Sequence, residues 1–281
     1  MRETLVRFRH VHKIYRIADT GVVALGGVDF DVHEGEFLAI VGPSGSGKST
    51  ILNLIGGLDR PTAGEVVVDG TDLGRLTEDQ LTDYRRAKIG FVWQGTARNL
   101  VPYLTVRENV RLPSTARGMS MPAGRHSPEE LLELVGLADR AHHRPGQLSG
   151  GEQQRVAVAV ALSNVPKIIL ADEPTAELDT GSAAKVLEAF QSVNREFGVT
   201  IVMVTHDLIA AKRARHQIRL RDGQLLVEGI PAGSVGPDGK LRLPESAVDA
   251  LAGMELEVEV RDTEVRIRRR GEGGLVEEDE R

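Results

Sequence analysis

The chain has 281 residues, 41% hydrophobic and 27% charged, which suits one large α/β domain with an appendage, or two modest domains. A formal net charge of −6 argues against nucleic acid as the main partner, since phosphate backbones demand clustered positive surface. Cysteine is absent, which excludes disulfides and thiolate metal sites, and no apolar run reaches the length of a membrane span. Short strand-like runs ("LVRF", "FLAIV", "EVVVDG", "IGFVW", "KIILADE", "VTIVMVTHD", "HQIRL", "QLLVEG") alternate with helix-like segments over residues 1–229. That alternation predicts an α/β fold with a mixed, largely parallel sheet core.

The run "FLAIV" leads into "GPSGSGKST" and then the helical "ILNLIGGL". From Gly42 the spacing is G-x-x-x-x-G-K-S, a phosphate-binding loop in which glycines let successive N–H groups turn inward around phosphate oxygens. Gly42, Pro43, Ser44, Gly45, Ser46, Gly47, Lys48, Ser49 and Thr50 make up this loop. Lys48 is expected to reach the outer phosphates and Ser49 to bind Mg2+, with the helix start favouring the same anion.

Between "FVWQ" and "KIIL" the strand signal disappears. "SPEELLELVGLADRA" and "GGEQQRVAVAVALSN" read as helices, so an α-helical subdomain is expected over roughly 95–165, with "PSTARGMSMPAGRHSP" loop-like inside it. Ser149, Gly150 and Gly151 open the second of these helices and offer a second anion site. "KIILADEP" is an apolar strand ending in two acids. Asp172 is suited to hold Mg2+ and Glu173 to act as general base on water. In "AAKVLEAFQSVNREFG", Val186, Leu187, Phe190, Val193 and Phe197 share one face, and Gly198 supplies a stop.

With "LSGGEQQR" in that order after the phosphate loop and before the acid pair, residues 1–229 resemble the ATP-binding cassette ATPases. The resemblance implies ATP and Mg2+ as cofactors, and ATP hydrolysis coupled to transport. It implies that Tyr15 stacks on adenine, Gln94 touches the metal and the attacking water, and His206 contacts the γ-phosphate. It also implies that Asp179, in "AELD", crosses to the opposite monomer, and that Ser149, Gly150, Gly151 and Gln153 face the nucleotide of that monomer. The expected partners are a second copy or a paralogous subunit and an integral membrane permease on a separate chain. The expected location is cytoplasmic, on the inner face of the membrane.

"LNLIGGLDRPTAGEVVVDG", "IGFVWQ" and "LADEPTAELDT" are most similar to the lipoprotein-releasing and macrolide-efflux class. An importer motor, or a soluble cassette ATPase acting on nucleic acid or ribosomes, stands as the alternative. The segment after Gln94, "GTARNLVPYLTVRENV", is about two residues longer than the family's. Trp93 replaces a commoner phenylalanine, and Val160 stands where arginine is usual.

From residue 230 the composition shifts to a glycine- and proline-rich linker, then two alternating runs, "ELEVEVRD" and "TEVRIRRR". A small β-rich appendage over 230–270 is expected, similar to the swapped-hairpin fold of small regulators, with DNA binding and a merely solvated hairpin as the other readings, and a disordered acidic tail at 271–281.

Overall fold

The computed structural model describes residues 3–17, 20–95, 98–115, 126–226, 256–261 and 264–269. The chain forms two compact units, Met1–Leu226 and Val227–Arg281.

The larger unit is built on two sheets. β3 (Phe37–Val41), β6 (Ile89–Val92), β7 (Ile168–Asp172), β8 (Thr200–Thr205), β9 (His216–Arg221) and β10 (Gln224–Leu226) form a six-stranded sheet in the order β10-β9-β3-β8-β7-β6. All neighbours in it run parallel except β10 on β9. β3 and β8 are buried at every position, so they read as continuous apolar runs rather than alternating ones.

Successive side chains of these strands enter two different cores. Phe37, Ala39 and Val41 join Ile169, Ala171, Ile201 and Met203 under the helices that follow β6 and β7. Leu38 and Ile40 join Ile168, Leu170, Val202 and Val204 under α1 (Lys48–Ile55), α2 (Glu78–Lys88) and the second sheet.

That second sheet is antiparallel and was not anticipated. β1 (Thr4–Ile17) and β2 (Thr20–His33) form a long hairpin continued by β4 (Ala63–Val68) and β5 (Thr71–Asp72), in the order β2-β1-β4-β5. Register shifts break the β1–β2 pairing in four places, which destroys the two-residue alternation by which the strands would be read. The two sheets are tied at Asp69, which accepts from Lys167 at 2.7 Å and from Lys88 at 2.6 Å. Those two lysines stand just before β7 and β6.

Between β6 and β7 the described residues hold α3 (Val106–Thr115), α4 (Pro128–Leu134) and α5 (Gly150–Leu162), with no strand. α3 runs through Pro113 to Thr115, into the stretch expected to be a loop; residues 116–125 lie outside the described ones. Val160 is half-buried and packs against the core beneath these helices. α6 (Thr180–Phe197) buries Val186, Leu187, Phe190 and Val193, and ends at Gly198 with φ 64°. α7 (Leu208–Ala211) follows β8.

In the smaller unit, β11 (Leu256–Arg261) and β12 (Glu264–Arg269) pair antiparallel, with Glu257 opposite Arg268 and Glu259 opposite Arg266. The rest of the expected swapped hairpin and the acidic tail lie outside the described residues.

Hydrogen bonds from Lys167 and then Lys88 hold the Asp69 carboxyl below its usual range. A depressed carboxylate pKa contributes stability above the unfolded pKa that is lost as pH falls through the folded one. Asp69→Asn is therefore expected to cost about 1–2 kcal/mol at neutral pH. The gap from the parent should close below about pH 4. Urea midpoints across pH test this; a pH-independent gap would contradict it.

Candidate functional site

The strand order brings four segments to the carboxyl ends of adjacent parallel strands. The loop after β3 carries residues 42–47, β8 leads to His206, β7 ends in Asp172 and Glu173, and β6 leads to Gln94. Open α/β sheets place ligand sites in this crevice, beyond the carboxyl ends of the strands.

The loop is shaped by what its glycines lack. A Cβ at Gly42 would lie 2.1 Å from the Leu220 carbonyl oxygen, and one at Gly47 would lie 2.4 Å from that of Ala24. Gly47 is the left-handed residue, φ 99°, from which α1 starts without a side-chain cap. Its N-terminal N–H groups are therefore left for a ligand.

Lys48 is only 7% exposed, and its ammonium donates to the Gly42 and Pro43 carbonyls at 2.7 and 2.9 Å. Ser44 and Gly45 are exposed. Ser46 is buried, and its hydroxyl has no hydrogen-bond partner. An unpaired buried hydroxyl in the loop that leads into an uncapped helix start fits a phosphate oxygen.

Beside the loop, the Ser49 hydroxyl donates to Asp172 Oδ1 at 3.2 Å. Hydroxyl and carboxylate oxygens on one side of a phosphate cradle are a donor set suited to Mg2+. Burial raises the Asp172 pKa, opposed by the Ser49 bond and by the charges of Lys48 and Arg98. Glu173 continues the strand pairing, its N–H donating to the Val204 carbonyl, with φ at 44°. A left-handed glutamate is uncommon and turns its side chain off the strand line.

Its carboxylate is held by His206: Oε2 lies 2.9 Å from the ring Nδ1 and accepts the His206 backbone N–H at 3.3 Å. Oε1 stands 3.9 Å from the Lys48 ammonium. Lys48, Ser49, Asp172, Glu173 and His206 thus form one connected cluster.

Tyr15 lies on β1 near the α1 residue Thr50. Burial raises its phenol, the Thr50 hydroxyl lowers it, and Asp59 raises it again. The phenol donates to Asp59 at 2.9 Å, and the Lys13 ammonium sits 4.8 Å from the ring centroid. Asp59, unremarked in the sequence, orients both Tyr15 and Lys13.

Gln94 is exposed, in a loop whose backbone is fixed by Asn99 and Gln154. Neither residue was singled out by sequence reasoning. The signal was faint, because their partners are main-chain groups that the sequence does not display.

The second expected anion site, at the start of α5, is built apart. Ser149 caps α5 in a reciprocal box, accepting from the Glu152 N–H while Glu152 accepts the Ser149 N–H. Gln153 donates to the Leu148 carbonyl at 3.1 Å. Gly151 permits close approach to α6, since a Cβ there would stand 2.8 Å from that of Ser182. The Ser182 N–H is in turn capped by Asp179. The start of α5 and the start of α6 are therefore one packed unit. Among the described residues, none of Ser149, Gly150, Gly151, Gln153 or Asp179 bonds to the cluster around Lys48.

Residues 25–176 match the family model described as "ABC transporter". The chain belongs to the ABC transporter family. It is 50% identical over 220 residues to an uncharacterized ABC transporter ATP-binding protein of Thermotoga maritima, covering 78% of this chain and 92% of that protein. It is 44% identical over 226 residues to the macrolide export ATP-binding/permease protein MacB of Hyphomonas neptunium. That match covers 80% of this chain and 35% of MacB.

Its fold matches the ATP-binding cassette MJ0796 of Methanocaldococcus jannaschii, solved as a dimer in a post-hydrolysis state bound to ADP and Pi. The TM-score is 0.70 at 44% identity, covering 79% of this chain and 97% of that one. The protein is thus an ATP-binding cassette subunit with ATPase activity and the α/β cassette fold. No helix among the described residues is long and apolar enough to cross a membrane.

Gly47→Ala meets both a positive φ and the Ala24 carbonyl. It should lower stability by about 2 kcal/mol or more and abolish ATP binding. Denaturant midpoints and nucleotide titration check this; unaltered values for both would show that the loop relaxes freely.

Proposed function

We propose that two copies of this chain, or this chain and a paralogue, close head to tail around two ATP molecules and so drive a membrane permease carried on a separate chain. The observation that carries this reading is the division of the site. One chain gathers Lys48, Ser49, Asp172, Glu173 and His206 at one place. Its capped α5 terminus, the second expected anion site, shares no bond with them among the described residues. A second chain offering its own Ser149, Gly150 and Gly151, with Gln153 and Asp179 alongside, supplies the missing half.

The γ-phosphate is the ligand that tells the two states apart. Only when it is present can both halves be bridged, so ATP favours the closed dimer and hydrolysis releases it. Gly42 to Thr50 cradle the phosphates, and Tyr15 lies against the base. Glu173 takes the proton of the attacking water; the His206 ring and backbone N–H hold its carboxylate in place. Lys48, the loop amides and the partner's α5 amides stabilise charge developing on the phosphoryl oxygens. Ser49, Asp172 and Gln94 would hold Mg2+, which supplies neutralisation of the β- and γ-phosphate oxygens.

The export direction rests on the match to MacB, which is described as a macrolide export ATP-binding/permease protein and of which this chain spans about a third. The inner face of the membrane is where such a subunit would work. Recovery of a permease with the tagged chain from detergent-solubilised membranes supports this; recovery of ribosomes or DNA instead overturns it.

Glu173→Gln should bind ATP normally, slow turnover about 10²-fold or more, and accumulate an ATP-dependent dimer visible by sedimentation. Hydrolysis at the parent rate would remove Glu173 from the role of base.

A further inference from the structure

Asn99 and Gln154 make a set of bonds that the reaction outlined above does not use. The Asn99 side chain grips the backbone five residues or so behind it: Oδ1 accepts the Trp93 N–H at 2.8 Å, and Nδ2 donates to the carbonyls of Trp93 at 2.9 Å and Gly95 at 3.2 Å. The Arg98 N–H adds a bond to the Gly95 carbonyl. Asn99 is thus tied back to the end of β6 and to Gly95. From the other side, Gln154 of α5 donates to the same Trp93 carbonyl at 3.3 Å, and its Oε1 lies 3.5 Å from Asn99 Nδ2.

Gln154 is 2% exposed, a buried amide in a helix otherwise packed with valine and alanine. Burying an amide is unfavourable unless its bonds are made, so this one is held in a single orientation. The Trp93 ring is stacked on Phe91 of β6, centroids 4.6 Å apart and planes 7° apart, which fixes the start of the loop on the sheet. Gln94 lies between the two gripped peptides, Trp93 and Gly95. Gln154 lies five residues past Ser149, on the same rigid helix, whose start is packed against the capped start of α6.

We propose that Asn99 and Gln154 are positioning residues that clasp the Gln94 loop to α5, so that Gln94 and the Ser149 anion site move as one body. The inference rests on the proposed role of Gln94 at the metal and the attacking water. Closure of a partner's nucleotide on Ser149 then pulls on the Trp93 carbonyl, and through it sets where Gln94 stands in its own chain's site. The clasp couples the half-site a chain lends to its partner with the half-site it keeps.

The test compares Asn99→Ala, Gln154→Met and their double variant with Gln94→Ala, in steady-state ATP hydrolysis and in thermal unfolding. Methionine keeps the buried volume of Gln154 without its bonds. Each clasp variant should lower kcat about tenfold or more with KM for ATP within about twofold, and melt within a few degrees of the parent. The double variant should be no slower than the worse single one, because one linkage is cut twice. Adding either to Gln94→Ala should change nothing further.

A loss of melting temperature with kcat per folded protein unchanged would make the pair a structural staple and overturn the proposal. So would multiplicative losses in combination with Gln94→Ala. If Gln94→Ala itself turns over at the parent rate, it is the reading of Gln94 that fails. Should Gln154→Met not fold, Asn99→Ala carries the same comparison, with Asn99→Asp, which keeps the acceptor for the Trp93 N–H, expected to recover part of the rate.

Discussion

A buried ammonium set beside two half-buried carboxylates at one end of a parallel sheet is the constraint around which the larger unit is organised. Lys48, Asp172 and Glu173 cannot be taken from water singly without large cost; together, with Lys48 and Glu173 bonded to backbone and Asp172 to the Ser49 hydroxyl, they can. The strand order β3-β8-β7 makes this possible by setting three chain segments side by side, far apart in sequence but ending at the same level. His206 directly follows the middle strand and so falls against Glu173. The apolar character of β3, β7 and β8 keeps those strand ends in fixed relation.

The same sheet separates two cores, and the site's parts are shared between them. α1, which carries Lys48 and Ser49, packs with the antiparallel sheet; α5 and α6, which carry Ser149 and Asp179, pack on the opposite face. α5 and α6 thus share one core and α1 the other, with the central strands between them. On the α5 side, the end of β6 is held to that helix at the Trp93 carbonyl, which accepts from both Asn99 and Gln154.

Much of this was legible in the sequence because fixed spacings report fixed backbone geometry. The stretch 42–50 could be read because only glycine tolerates the approach of the Leu220 and Ala24 carbonyls. The six-stranded sheet could be read because strands buried on both faces are continuous apolar runs. The β1–β2 hairpin escaped because its irregular register hides the alternation, and α3 overran its expected end because Pro113 lies in its last turn. Asp59, Asn99 and Gln154 escaped for another reason. Each acts on a partner dozens of residues away or on main-chain atoms, and neither kind of bond leaves a local pattern.

The Lys48 ammonium is already satisfied by two carbonyls of its own loop. On the proposed reading, a phosphate would reach Lys48 by exchange with these carbonyls. Whatever it gained from Lys48 would then be reduced by the bonds the ammonium gave up. A cassette that must let go of its product in every cycle is served by a lysine with somewhere to return to.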